Sequence, residues 1–210
     1  ELAAVNVTTG PGGINALNGV FGAYTDSLGM VVISGQVKFE TTVKSTSVPL
    51  RQLGDQEVDI VRMAEGVTKY AVMVTDPESI RYHLEKALFL ATEGRPGPVW
   101  LDIPMNVQAA LVEEDALPAF DPDELGGGRA PALAAVRVEA VWDAFRRAKR
   151  PLLWLGHGIR LAGAADRLPA FLDLAGAPAL VSWAGIDMLD SSHPLVYGRA
   201  GVYGQRAANL

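Results

Sequence analysis

Residues 94–104, Gly94-Arg95-Pro96-Gly97-Pro98-Val99-Trp100-Leu101-Asp102-Ile103-Pro104, read as a rigid turn that releases the chain into an apolar strand. A second glycine-bearing bend, Thr8-Thr9-Gly10-Pro11-Gly12-Gly13, lies near the start of the chain. The earlier bend lets a strand, Ala3–Thr8, drop into a helix, and the later one lets a helix climb into a strand. Strand-to-helix and helix-to-strand joints in one chain are the signature of α/β layers.

Working outward, short apolar runs alternate with helix-period segments. The candidate strands are Ala3–Thr8, Met30–Gly35, Tyr70–Val74, Pro98–Ile103, Leu152–Gly156 and Ala179–Trp183. Runs that are apolar at every position imply burial on both faces, as parallel sheets require. Between them, four sets of residues are spaced as helix faces: Ile14, Leu17, Phe21 and Tyr24; Ile80, Leu84, Leu88 and Ala91; Val138, Val141, Trp142 and Phe145; Leu161, Leu168 and Leu172. The stretch from Gln108 to Ala130 is acidic, then rich in Pro and Gly, without periodicity, and reads as a linker. The fold expected is therefore α/β, with two parallel-sheet three-layer units spanning 1–108 and 131–210 and a linker at 109–130.

Composition narrows the function. Hydrophobic residues make up 49% and charged residues 20%, a globular balance and not a disordered one. A net charge of −6 with no basic stripe argues against nucleic acid. There is no cysteine, so disulfides and thiolate metal sites are excluded. No apolar run is long enough to span a bilayer and no leader pattern opens the chain, so the expectation is a cytoplasmic protein without membrane contact.

Five constellations are candidates to carry chemistry. In Thr9-Gly10-Pro11-Gly12-Gly13-Ile14-Asn15 the glycines let backbone approach a ligand ahead of a helix N-terminus, and Asn15 is a poor helix former one turn in. Gly35-Gln36 closes a buried strand, where open α/β sheets bind ligands, and a Gln there can both donate and accept. Lys38 to Asp55 is a loop of about 18 residues bearing Lys38, Lys44 and Arg51, long enough to suggest a role and suited to an anionic substrate. Gly156-His157-Gly158 opens like a dinucleotide fingerprint, but Leu161 stands where the third glycine belongs. Gly198 to Arg206 is again glycine turn and helix start, a phosphate cradle or a domain edge. The three histidines, His83, His157 and His193, show no metal-ligand spacing.

Taken together, Thr9-Gly10-Pro11-Gly12, Ser34-Gly35-Gln36-Val37, Gln56-Glu57-Val58-Asp59 and Gly97-Pro98 to Ile103-Pro104 resemble the thiamine-diphosphate-dependent enzymes of the acetolactate-synthase type, over nearly the whole chain. The resemblance implies the later part of a pyrimidine-binding domain, a linker, and the first part of a Rossmann-like central domain. It implies that Gly10, Pro11, Gly12, Asn15 and Gln36 line the cofactor's aminopyrimidine, and that Gln36 and Gln56 serve the reaction, Gln56 facing the reaction chamber. It further implies a 2-oxo acid substrate, a homodimer or homotetramer, and Mg²⁺ with the diphosphate held by residues outside this chain. The glutamate that activates the cofactor in such enzymes lies upstream of the Gly-Pro-Gly turn, so the chain alone is expected to be inactive.

Departures from the family are specific. Asp55 replaces a Phe, Met105 replaces a Lys, and the spacing from Gln36 to Gln56 is longer than in acetolactate synthases. Of the elements that contact FAD in the family, Arg95 is kept, while a triple-glycine turn has become Gly156-His157-Gly158 and a Met-His pair has become Val202-Tyr203. They leave open another 2-oxo acid or a sugar-derived ketone as substrate. The rival readings are an FAD- or nucleotide-binding module built on Gly156, His157 and Gly158 and on Gly201–Gly204, and a noncatalytic scaffold or regulatory domain.

Overall fold

The computed structural model describes residues 2–126 and 135–210. The chain divides into two compact units, 1–130 and 131–210. The glycine-rich end of the expected linker and the first residues of the second unit lie outside the described residues.

In the first unit, β1 (Ala3–Val7), α1 (Pro11–Asp26), β2 (Met30–Gln36), α2 (Ile60–Ala64), β3 (Tyr70–Met73), α3 (Ile80–Thr92), β4 (Pro98–Pro104) and α4 (Met105–Gln108) follow in order. The four strands form one parallel sheet in the order β1-β2-β4-β3. Alternation sends side chains to both faces. Val32 and Trp100 pack with Val20 of α1 and with Ile60 and Ala64 of α2. Val31, Val99 and Leu101 pack with Ala87 and Ala91 of α3 on the opposite face. Burial on both faces is what made these strands continuously apolar, and it yields three layers.

The helix faces differ from those the sequence suggests. Helix α1 buries Gly13, Val20 and Ala23, while Ile14, Phe21 and Tyr24 are 41%, 56% and 43% exposed. Helix α3 buries Ala87 and Ala91 and leaves Leu84 and Leu88 partly exposed. In both, small residues let the helix lie close to the sheet, and the larger apolar side chains turn outward. Part of the expected linker docks on this unit: Phe120 is buried, its N–H donates to Glu85 Oε2 at 2.8 Å, and its ring meets Tyr82 and Phe89.

The second unit contains α5 (Ala135–Arg147), β5 (Leu153–Leu155), α6 (Gly158–Leu161), α7 (Leu168–Ala175), β6 (Ala179–Val181) and β7 (Val196–Gly198). Its strands are parallel, in the order β5-β6-β7. Leu155, Ala179 and Val181 pack against Leu168 and Leu172 of α7, while Trp154 on the other face of β5 is 68% exposed. Leu161, Leu168 and Leu172 do not share one helix. Gly163, at φ +65°, breaks the chain between α6 and α7. On α5, Val138 and Val141 are exposed, and Trp142 stacks on Phe145 and meets Phe171 of α7. No helix among the described residues is long and apolar enough to cross a membrane.

Candidate functional site

The two motifs at the carboxyl end of the first sheet meet directly. The Thr9 hydroxyl donates to Gln36 Oε1 at 2.7 Å, so the bend after β1 is tied to the tip of β2. Gln36 Nε2 donates to the Val58 carbonyl and to Asp102 Oδ2, both at 3.1 Å. The Val37 N–H donates to Gln36 Oε1 at 3.1 Å. A primary amide offers two donor hydrogens and two acceptor lone pairs, and here all four are used. Gln36 is buried. It therefore has no free group to offer a ligand, which differs from the expectation that its amide would face one. It joins three segments instead.

Gln56 reaches the same place by another route. The chain adopts φ +58° at Gly10 and φ +57° at Gln56, and the two backbones touch: a Cβ at Gly10 would lie 2.2 Å from the Gln56 carbonyl oxygen. Glycine at position 10 is thus demanded by both conformation and space. Gln56 is exposed, and a non-glycine residue in the left-handed region is costly enough to be a pointer to function. Gly12 and Pro11 follow in the first turn of α1, which no side chain caps. Asn15 is exposed on that helix with no hydrogen bond among the described residues.

The loop from Lys38 to Asp55 consists of two 3-10 turns, Phe39–Thr41 and Val43–Ser45, and extended chain. Glu57 organises it. Its carboxylate accepts from the N–H groups of Val43 (2.6 Å), Leu53 (3.0 Å) and Gly54 (3.2 Å), while Asn106 Oδ1 accepts from the Phe39 N–H at 2.9 Å. Lys44 is paired with Asp59 at 2.9 Å. Lys38 and Arg51 form no ion pair among the described residues.

Beneath Gln36 lies Asp102, which sequence reasoning quoted but gave no role. Its Oδ1 accepts from the Ser34 hydroxyl at 2.6 Å, and Ser34 Oγ accepts from Trp100 Nε1 at 2.8 Å. Trp100, Ser34 and Asp102 are each fully buried. Burial pushes the Asp102 carboxyl up to about 6, held from rising further by the Ser34 and Gln36 bonds and by Lys44, while Asp59 adds to the rise. A signal did exist: Ser34 and Asp102 are the polar members of two apolar runs and are register partners.

A cleft of about 480 Å³ opens beside this network, between Asn6 and Thr8 of the β1 edge, Gly35, Ile103 and Gln108.

The other expected site residues lie apart from this cluster. Arg95 sits at the amino end of the first sheet, donating to the Ser27 hydroxyl at 2.7 Å. Gly156, His157 and Gly158 follow β5 in the second unit. His157 Nδ1 lies 3.2 Å from the Ala184 carbonyl, and its Nε2 is buried without a partner among the described residues. The Gly198–Arg206 turn is closed on itself, with the Arg199 and Gly201 N–H groups bonded to the side chains of Gln205 and Asn209. Those amides are not free to cradle a phosphate. Among the described residues no three His, Cys, Asp or Glu side chains stand together as metal ligands.

Residues 1–63 match the model of the thiamine pyrophosphate enzyme N-terminal TPP binding domain, and residues 138–210 match that of the thiamine pyrophosphate enzyme central domain. The chain is 34% identical over 209 residues to acetolactate synthase 2, chloroplastic, of Zea mays, covering 96% of this chain and 30% of that protein. It is 32% identical over 204 residues to the acetolactate synthase isozyme 1 large subunit of Escherichia coli K12, covering 96% and 33%. It is 30% identical over 210 residues to the acetolactate synthase large subunit of Lactococcus lactis subsp. lactis, covering 100% and 35%. The chain spans about a third of the length of these curated relatives.

Proposed function

Because the chain belongs to the thiamine pyrophosphate enzymes, with acetolactate synthases among its relatives, we propose that it forms the pyrimidine-side half of the active site of a thiamine-diphosphate-dependent carboligase or decarboxylase acting on a 2-oxo acid. In this reading residues 1–108 are the pyrimidine-binding domain, 109–130 a linker, and 131–210 part of the central domain. The observation that carries it is the Thr9–Gln36 hydrogen bond, which brings the Gly-Pro-Gly bend, the tip of β2 and the Gln56 segment to one point.

The residues present fit one end of the cofactor. Neutral backbone groups around Gly10 and Gly12, with no side chain capping α1, suit an uncharged aminopyrimidine. The diphosphate and its Mg²⁺ need cations or a carboxylate set, and in this proposal those come from outside the chain. Thiamine diphosphate, when bound, supplies the nucleophile and electron sink for a 2-oxo acid. Gln56, held out on its left-handed backbone, presents its amide to the substrate. Gln36 positions the bend from beneath. Lys38 and Arg51, at the mouth of the loop, attract the carboxylate.

A homodimer or homotetramer belongs to the same proposal. The stripe of Ile14, Phe21 and Tyr24 along α1, continued by Leu28 just past its end, is 41–56% exposed and begins beside the Gly-Pro-Gly bend, where a second subunit would complete the site. The test is calorimetric titration of the full-length protein with thiamine diphosphate and Mg²⁺, followed by a panel of 2-oxo acids monitored for carbon dioxide release. Saturable cofactor binding and turnover of at least one acid are expected. Absence of cofactor binding by the folded protein would overturn the proposal.

A further inference from the structure

We propose that Asp102 is the positioning residue of this site, dictating through Gln36 how the Thr9-Gly10 bend is held against the Gln56–Val58 segment, an inference that rests on the function proposed above.

The argument is one of proton bookkeeping along a buried chain. An indole N–H can only donate, so the Trp100 bond at 2.8 Å makes Ser34 Oγ an acceptor there and commits the serine proton to Asp102. With Ser34 donating to Oδ1, the carboxylate oxygen Oδ2 has only an acceptor role left, and Gln36 must turn its NH₂ toward it. The second hydrogen of that NH₂ then meets the Val58 carbonyl. Gln36 Oε1 is thereby turned to the Thr9 hydroxyl and the Val37 N–H. A flipped amide would set oxygen against the Asp102 carboxylate and the Val58 carbonyl, and NH₂ against the Val37 N–H. Amide orientation is settled by such a network, and here the Asp102, Val58 and Val37 contacts all favour one answer. Donation thus converges on Asp102 from both sides, from Trp100 through Ser34 and from Thr9 through Gln36.

The chain of donors needs Asp102 ionised, because a protonated carboxyl would face two groups that both donate. The charged groups acting on Asp102 are Lys44 of the loop and Asp59 at the start of α2, which pair with each other. Arg62 of α2 is exposed, β2 and β3 carry no charged side chain, and α1 carries only Asp26 at its far end. Burial raises the Asp102 carboxyl to about 6. Its charge, and with it the orientation of Gln36, is therefore present at neutral pH and lost as pH falls through about 6.

A reciprocal exchange tests this in the full-length protein. Asp102→Asn sets an amide NH₂ against the Gln36 NH₂, and Gln36→Glu sets two carboxylates face to face. The double variant restores the match at position 102, since the Asn NH₂ donates to the Glu carboxylate, which still accepts from Thr9 and Val37, while the Val58 carbonyl is left without its donor. Two readouts serve: affinity for thiamine diphosphate with Mg²⁺ by calorimetry, and amide hydrogen exchange by mass spectrometry, without cofactor, over residues 5–14 and 52–60. Each single variant should weaken affinity and speed exchange by about tenfold or more, with the double variant recovering at least about threefold of the worse single variant's loss. Single variants indistinguishable from wild type, or a double variant no better than the worse single, would overturn the proposal. Should the single variants not fold, wild-type exchange corrected for intrinsic rates should accelerate over those two segments between about pH 7.5 and about pH 5.5. Unchanged protection there refutes it equally. If exchange follows the cycle but wild type binds no cofactor, the positioning role stands and the proposed function falls.

Discussion

Replacing Gly10 by Ala should be among the most damaging single-methyl changes in the first unit. Gly10 sits at φ +58° and ψ −111°, outside even the small left-handed region open to other residues. Holding alanine there costs about 1–3 kcal/mol. Its Cβ would also lie 2.2 Å from the Gln56 carbonyl oxygen, where ordinary contact begins at 3.4 Å. That neighbour is backbone, and at φ +57° it has little room to yield. Overpacking of this kind adds about 1–3 kcal/mol. The two costs together come to about 4 kcal/mol, a large part of a typical domain's stability. The assay is chemical denaturation of the full-length protein, read at the first transition, beside calorimetric affinity for thiamine diphosphate. Gly12→Ala is the control for stability, because the one close approach of its Cβ is to the Thr8 side-chain methyl, at 2.9 Å. Gly10→Ala should lose far more stability than Gly12→Ala. Equal effects, or a loss below about 1 kcal/mol, would refute the reading of this contact.

Two further outcomes follow from the same geometry. Gly19→Ala, in the interior of α1 with nothing within 4 Å of the new methyl, should stabilise the protein by about 0.5–1 kcal/mol in the same denaturation assay. Glu57→Ala removes the acceptor of three backbone N–H groups, each such charge-assisted bond contributing about 1.5–3 kcal/mol. It should speed tryptic cleavage after Lys38, Lys44 or Arg51 by about tenfold or more, measured by limited proteolysis.

The strands were legible because β2 and β4 lie between two helical layers, so Val31 and Val32, or Trp100 and Leu101, are buried on opposite faces. Strand β7 was not, because its three residues pair with β6 alone and Tyr197 is 44% exposed. Helix faces were misread where packing relies on glycine and alanine. Gly13 must lie against Ile60, yet it adds nothing to an apolar periodicity, whereas outward-facing Ile14 and Phe21 add much. The two bends and the Gln36 strand tip could be found from local spacing. The functions of Glu57 and Asp102 could not, since one gathers amides up to fourteen residues away and the other depends on a register partner in another strand.

The site also explains how its own strain is sustained. Among the described residues, Ser27 and Gln56 are the only non-glycine residues with positive φ. Ser27 follows α1 as a helix cap, a common use of the left-handed region. Gln56 has no such local excuse. Its neighbours on either side are held instead: Gly54 by the Glu57 carboxylate, Glu57 by its own bonds to the loop, and Val58 by the Gln36 amide. A strained conformation persists only where its surroundings over-determine it, and here the surroundings are fastened from below by a buried carboxylate. Asp102 is itself costly, since burial opposes its charge. Two unfavourable features, a left-handed glutamine and a buried aspartate, are thus joined through one amide. Packing alone accounts for neither. The role proposed for Gln56, at a fixed place beside the Gly-Pro-Gly bend, accounts for both.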